Sequence, residues 1–193
     1  MNVAFFENFL VLENSVVLFF FFFLIRFVIF SLIERSFYAY KQKEKGLLVA
    51  NLGTMFFYAL VTFPVAQYLS NTILSTSFIV PGIDTLALIV RIVLYFIVAD
   101  FLHYWIHRLM HLPFLWRIHM WHHSPKQMSW LAGFRTSLLD ATVVNFAFII
   151  AWPLLGSVGD STRIVLLLIG LLLNDWMHLN IRFRLDTLGK FLV

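Results

Sequence analysis

A chain of 193 residues that is 61% hydrophobic and only 12% charged, with mean hydropathy +0.88, lies outside the composition of soluble domains and reads as a single-domain, all-α, polytopic helical membrane protein. It has no cysteine, which excludes disulfide frameworks, thiolate nucleophiles, iron–sulfur clusters and Cys-ligated zinc, and leaves imidazole and carboxylate as the strong metal ligands. The net charge of +4 does not mark a nucleic-acid binder, because a chain this apolar offers no solvated basic face with interleaved aromatics.

The first apolar run, residues 9–33, contains the phenylalanine tract 19–23. It is too long for the apolar region of a signal peptide and has no basic leader, so a retained transmembrane helix is expected. Residues 34–46, ERSFYAYKQKEKG, form the most charged linker. A second span covers 47–69, and Pro64 within it requires neighbouring groups to satisfy the freed carbonyl. The uncharged loop 70–82 ends in the turn signal Pro81-Gly82. A third span, about 85–105, runs straight into a histidine-rich segment. Two shorter apolar runs, 138–155 and 164–176, flank GSVGDSTR. Each is near the lower limit for a hydrocarbon layer about 30 Å thick, so they read as two tilted spans or a hairpin that enters partway. The outcome is about four transmembrane helices or hairpin arms, with 1–84 an N-terminal transmembrane hairpin and 85–193 the histidine-bearing region.

Eleven of the fourteen Lys and Arg residues fall in 34–46, 106–140 and after 174. By the positive-inside rule these segments face the cytoplasm, and the histidines with them, in a bacterial inner membrane or the endoplasmic reticulum.

Six of the seven histidines lie between 103 and 123, and the seventh is His178. His103, His107 and His111 are spaced i, i+4, i+8, and His119, His122 and His123 are spaced i, i+3, i+4. Either set occupies one face of a helix. Pro113 separates the sets and Pro125 closes the second, so two short helices pointing their imidazoles at a shared centre are expected. Imidazole suits iron, zinc, copper and nickel, and six or seven of them exceed what one four-coordinate ion takes, which implies two metals. No Glu-x-x-His pair of the soluble di-iron type occurs, so the site is nearly all nitrogen. For His178, and for His103 one turn deeper, ligation and helix packing both stay open at this point. Asp100 and Asp175, seven and three residues before His107 and His178, are candidates to orient an imidazole, with interfacial capping as the alternative. Trp105, Trp116, Trp121, Trp130 and Trp176 are expected in an aromatic belt at headgroup level.

At these residues the chain resembles the fatty acid hydroxylase and sterol desaturase superfamily of integral membrane di-iron oxygenases. DFLHYWIHRLMH (100–111) and LWRIHMWHHS (115–124) supply HxxxH followed by HxxHH, and NDWMHLNIRF (174–183) is similar to the family's isolated histidine segment. The resemblance covers roughly the C-terminal half. It implies His107, His111, His119, His122, His123 and His178 as metal ligands, with His103 at a position the family leaves variable and Asn174 where related membrane desaturases can use an asparagine. It also implies two irons, O2, and an electron donor in trans such as cytochrome b5, ferredoxin or a reductase. The reaction implied is hydroxylation or desaturation of a membrane lipid of fatty acid, sterol or alkylglycerol type. Residues 135–138, Arg-Thr-Ser-Leu, stand where many members show Arg-x-His-Pro, which is closer to the alkylglycerol monooxygenase-like branch. Members carry a third HxxHH box after the segment corresponding to LDTLGKFLV (185–193), so the expectation is a truncated member that inserts and binds metal weakly without turnover. Two rival classes fit less well. A metal-binding or metal-transporting protein would line a mid-membrane path with polar groups, and a haem carrier would place single histidines on facing helices.

Overall fold

The computed structural model describes residues 3–39, 47–73 and 80–182. Within them every regular element is helical, with one isolated antiparallel bridge between Tyr38 and Ile181. The linker lysines at 41, 43 and 45 and the basic residues at 184 and 190 lie outside the described residues.

Helix α1 (Val3–Phe37) is continuous and covers the expected first span. The second span is α2 (Leu47–Phe57), a π-helical turn (Tyr58–Thr62) and α3 (Phe63–Ile73). The π turn has an identifiable cause. Pro64 has no N–H, and its ring crowds the carbonyl four residues back. In the wider turn ahead of it the Phe63 N–H reaches five residues back to the Tyr58 carbonyl, so the backbone is re-paired where an α-helix would fail.

A 3-10 turn (Ile83–Thr85) leads into α4 (Leu88–Met110). This helix is about 34 Å long at 1.5 Å per residue. It runs one turn further than the sequence pattern suggested, because nothing stops it before Pro113. The remaining elements are α5 (Trp116–His119), a 3-10 turn (Trp130–Phe134), α6 (Leu138–Ala151) continuing into a second 3-10 turn (Trp152–Leu155), and α7 (Asp160–His178). Among the described residues three stretches are long and apolar enough to cross a membrane, Leu48–Ala66, Leu88–Met110 and Leu138–Leu155. The protein is thus an all-helical membrane protein.

Two buried clusters hold the helices together. Away from the histidines, Ala99 of α4 and Ala151 of α6, both fully buried, let the two helices approach closely over Tyr95, Leu155 and Leu166. Arg91 closes that end by donating from Nη1 to Asp84 Oδ1 at 2.5 Å and to the Leu155 carbonyl at 2.6 Å. Gly156 sits against this pair with φ +61°, where a Cβ would run into the Asp84 carboxylate. Only glycine suits both the backbone and the space. The second region surrounds Trp130, which is 1% exposed and packs its ring 5.8, 6.0 and 5.8 Å from those of Phe23, Phe27 and Phe30. This corrects the expected belt. Trp130 is a core residue that fastens the Trp130–Phe134 turn to α1, and Trp116 stacks on His123, while Trp105, Trp121 and Trp176 are exposed.

Candidate metal centre

The first histidine set stands on the end of a spanning helix rather than on a short one. His103 and His107 lie on the last turns of α4, and His111 caps it. Past Pro113 the chain doubles back, with Leu115 and Trp116 N–H both donating to the Leu112 carbonyl. The single turn α5 is thereby laid against the end of α4. Of the second set only His119 is helical, and His122 and His123 follow in tight turns. The expected pair of short helices is therefore corrected, yet the shared centre forms. The His107 and His119 rings are 4.6 Å apart, His111 and His123 4.7 Å, and His119 and His123 4.8 Å.

One nitrogen from each of His107, His111, His119 and His123 lies within 4.8 Å of the other three. The Nε2 atoms of His107 and His111 are 3.2 Å apart, and those of His119 and His123 are 3.0 Å apart. Nitrogens bound at 2.0–2.1 Å to one tetrahedral ion are about 3.3 Å from each other. The donor set and its spacing therefore fit a metal ion.

His119 is the most constrained of the four. It is 1% exposed, and its Nδ1–H donates to Asp140 Oδ1 at 3.0 Å, leaving the Nε2 lone pair for the metal side. Asp140, itself buried, also accepts from Thr136 Oγ1 at 3.0 Å. Its backbone N–H donates to Ser137 Oγ at the start of α6, and that hydroxyl donates to the Ile118 carbonyl beside His119. A carboxylate behind a ligating imidazole fixes its tautomer and raises its basicity, and removing such a partner typically costs 10–100-fold in metal affinity. Asp140→Asn is accordingly expected to weaken metal binding by about 10–100-fold while the helical content stays unchanged. Equilibrium dialysis alongside circular dichroism checks this, and unchanged affinity would remove Asp140 from the site.

His122 and His178 form a second group beside the first. Their rings are 5.3 Å apart, and His122 stacks on His119 at 5.2 Å. His178 Nδ1–H donates to the Asn174 carbonyl at 2.8 Å, which presents Nε2 as its lone-pair atom. Burial, and then the neighbouring His178, His119, His123 and His107, push His122 down to about 3. Burial also lowers His123 and His178, opposed at His178 by its bond to the Asn174 carbonyl. Each shift favours the neutral imidazole, the state a metal ligand requires. His103 sits one turn deeper, its ring 6.0 Å from both His107 and Phe148.

The six histidines singled out in the sequence thus come together, four of them in one tight group. Of the two readings open for the aspartates, orienting an imidazole is not the one seen. Asp175 is fully buried and pairs with Arg26 of α1, Nη1 to Oδ2 at 2.9 Å, rather than with His178. Asp100 is exposed on α4, and the carboxylate that holds an imidazole is Asp140. Asn174 reaches His178 through its backbone carbonyl, and its side chain packs on Gly133, where a Cβ would come within 2.7 Å of Nδ2.

Sequence reasoning passed over four further residues that frame the site. Arg135 donates from Nε to Asn51 Oδ1 at 2.9 Å and from Nη1 to Ser124 Oγ at 3.3 Å, with its guanidinium over the Trp121 ring, tying the second histidine segment to α2. Glu34 and Arg26 reach the site's surroundings from α1. A usable signal existed for Arg26 and Asn51, since polar side chains inside spans mark internal partners.

A family model described as fatty acid hydroxylase matches residues 92–193, more than half of the chain and the part that carries all seven histidines. No curated protein and no solved structure matches it.

Proposed function

The chain belongs to the fatty acid hydroxylase family, and from that membership we propose that it is an O2-dependent, di-iron membrane oxidoreductase that hydroxylates or desaturates a lipid of fatty acid, sterol or alkylglycerol type. The observation that supports this most is the convergence of His107, His111, His119 and His123 on one point at the end of a membrane-spanning helix, with His119 braced by the buried Asp140. These four residues would hold one ion, and His122 and His178, beside His103, would contribute to a second. Iron, when bound, supplies the chemistry that activates O2 and oxidises an unactivated C–H bond, with two electrons from a separate donor protein such as cytochrome b5, ferredoxin or a reductase.

The protein's own part is orientation and shielding. The Asp140 and Asn174 contacts hold the Nε2 atoms of His119 and His178 toward the centre, and the Trp116 ring stacked on His123 covers one of the more exposed ligands. Metal transport is less well supported, because Arg26 and Arg91 in the apolar helices are locked against carboxylates rather than lining a path.

Metal analysis of the purified chain, with lipid analysis of cells expressing it or its His107→Ala variant, tests the proposal. Bound iron in the wild type and not in the variant is expected, and any new hydroxylated or unsaturated lipid should appear only with the wild type. A Soret band, or tightly bound zinc with no lipid change, would overturn it. We further propose that the histidine end faces the cytoplasm, as its basic residues favour. Single cysteines introduced at 117 and 84 should then label from opposite sides of the membrane, the first from the cytoplasm. Labelling of both from one side would defeat this topology.

A further inference from the structure

The match to the family model begins at residue 92, yet α1 reaches over to the site with a carboxylate. Glu34 Oε1 accepts from the Trp130 N–H at 2.7 Å and from the Asn180 N–H at 3.0 Å, and Oε2 accepts from Ser129 Oγ at 3.4 Å. One side chain therefore joins two backbone segments that meet nowhere near each other in sequence. Both segments bear on His178. Asn180 lies two residues after it. The Trp130–Phe134 turn backs it directly, because a Cβ on Gly133 would come within 2.8 Å of His178 Nδ1. The Asn180 carbonyl in turn accepts from the Ala39 N–H, and the Arg182 N–H donates to the Phe37 carbonyl, so the chain leaving α7 is laid along the end of α1.

We propose that Glu34 is a positioning residue for His178, holding the end of α7 and the Trp130–Phe134 turn together so that the His178 imidazole faces His122 at the second metal position. The physical reason is the weakness of the alternative. His178 is the last residue of α7, where helix ends fray, and its ring Nδ1–H donates to a carbonyl of its own helix. That bond sets the ring's tautomer but cannot set where the helix end sits relative to His122. A half-buried acceptor shared by two N–H groups from different segments can. If it is removed, the N–H groups of Trp130 and Asn180, residues 1% and 5% exposed, both lose this acceptor.

This inference rests on the two-metal reading above, and its test separates the two. The full-length chain is purified in detergent without metal and titrated with cobalt(II), whose visible absorption follows each equivalent bound. Wild type is expected to take up two equivalents. Glu34→Ala should bind the first as wild type does and the second about 10–100-fold more weakly, with the spectrum of His178→Ala. Glu34→Gln should restore the second to within about threefold, because its amide oxygen can still accept both N–H groups; a residue that mattered only through its charge would not be rescued in this way. Should Glu34→Ala fail to fold, Glu34→Asp, which draws the carboxylate back by one methylene, should show the same selective weakening. Two equivalents bound normally in Glu34→Ala or in Glu34→Asp would overturn the proposal alone. A single equivalent in wild type would overturn the two-metal reading and the proposal with it.

Discussion

Replacing His107 by alanine is expected to abolish tight metal binding, lowering affinity by at least about 100-fold, while membrane insertion and helical content remain. The size of the effect follows from the ring's central place. His107 lies 4.6 Å from the His119 ring, 5.1 Å from His111, 5.6 Å from His123 and 5.9 Å from His122. It borders both histidine groups, so its loss removes a ligand from the four-imidazole set and a neighbour from the other. Losing even a carboxylate behind a ligand costs 10–100-fold, and losing the ligand itself costs more. Insertion is set by the apolar length of the spans, which the substitution leaves alone. Elemental analysis after dialysis against a weak chelator, with circular dichroism on the same sample, measures both. Wild-type metal content in His107→Ala would sink the site as drawn. His178→Ala should lose at most one equivalent, and no loss at all would return His178 to a packing role.

The second large effect lies at the Arg26–Asp175 pair. The two side chains are 4% and 0% exposed, and the guanidinium also lies 5.8 Å from the Phe134 ring. Breaking a buried ion pair by removing one partner leaves the other charge desolvated, at a cost of about 3–5 kcal/mol. Arg26→Ala is therefore expected to lower stability by about that amount in detergent. The double variant Arg26→Met with Asp175→Val, which removes both charges and stays close to the volume of the pair, should recover most of it, since apolar replacements of buried pairs are often neutral. Thermal unfolding of the three proteins forms the comparison. A double variant no more stable than Arg26→Ala would show that packing rather than the unpaired carboxylate sets the loss. Because Asp175 is three residues before His178, the single variant should also loosen the second metal position, which the double variant should spare.

Much of this was legible in the residues themselves. Chain hydropathy and the absence of cysteine marked a helical membrane protein whose metal ligands could only be imidazole or carboxylate, because length and apolarity decide membrane crossing residue by residue. The spacings of His107 and His111, and of His119, His122 and His123, follow a helical period, so they singled out candidate ligands before any contact was known, even though His122 and His123 stand in turns. Even the disturbance at Pro64 could be expected, since a missing N–H is a local fact.

What the residues could not show were partners set by long-range packing. Asp100 and Asp175 were near histidines in sequence, but a carboxylate serves whichever group the fold brings within hydrogen-bond reach. That group is Arg26, 149 positions away, for Asp175, while Asp140, 21 positions from His119, takes the role expected of an orienting acid. Trp130 looked like its four exposed or half-exposed counterparts, yet α1 covers it completely. Periodicity fixes the face on which a side chain stands, and it carries no information about which other helix will lie against that face. The sequence by itself determined the kind of protein and its candidate ligands. Only the packing of α1, α6 and α7 around the end of α4 decided which histidines form the tight group of four, which carboxylate braces it, and that Glu34 and Arg26, far from the histidine segments, hold the end of the helix that brings His178 to the centre.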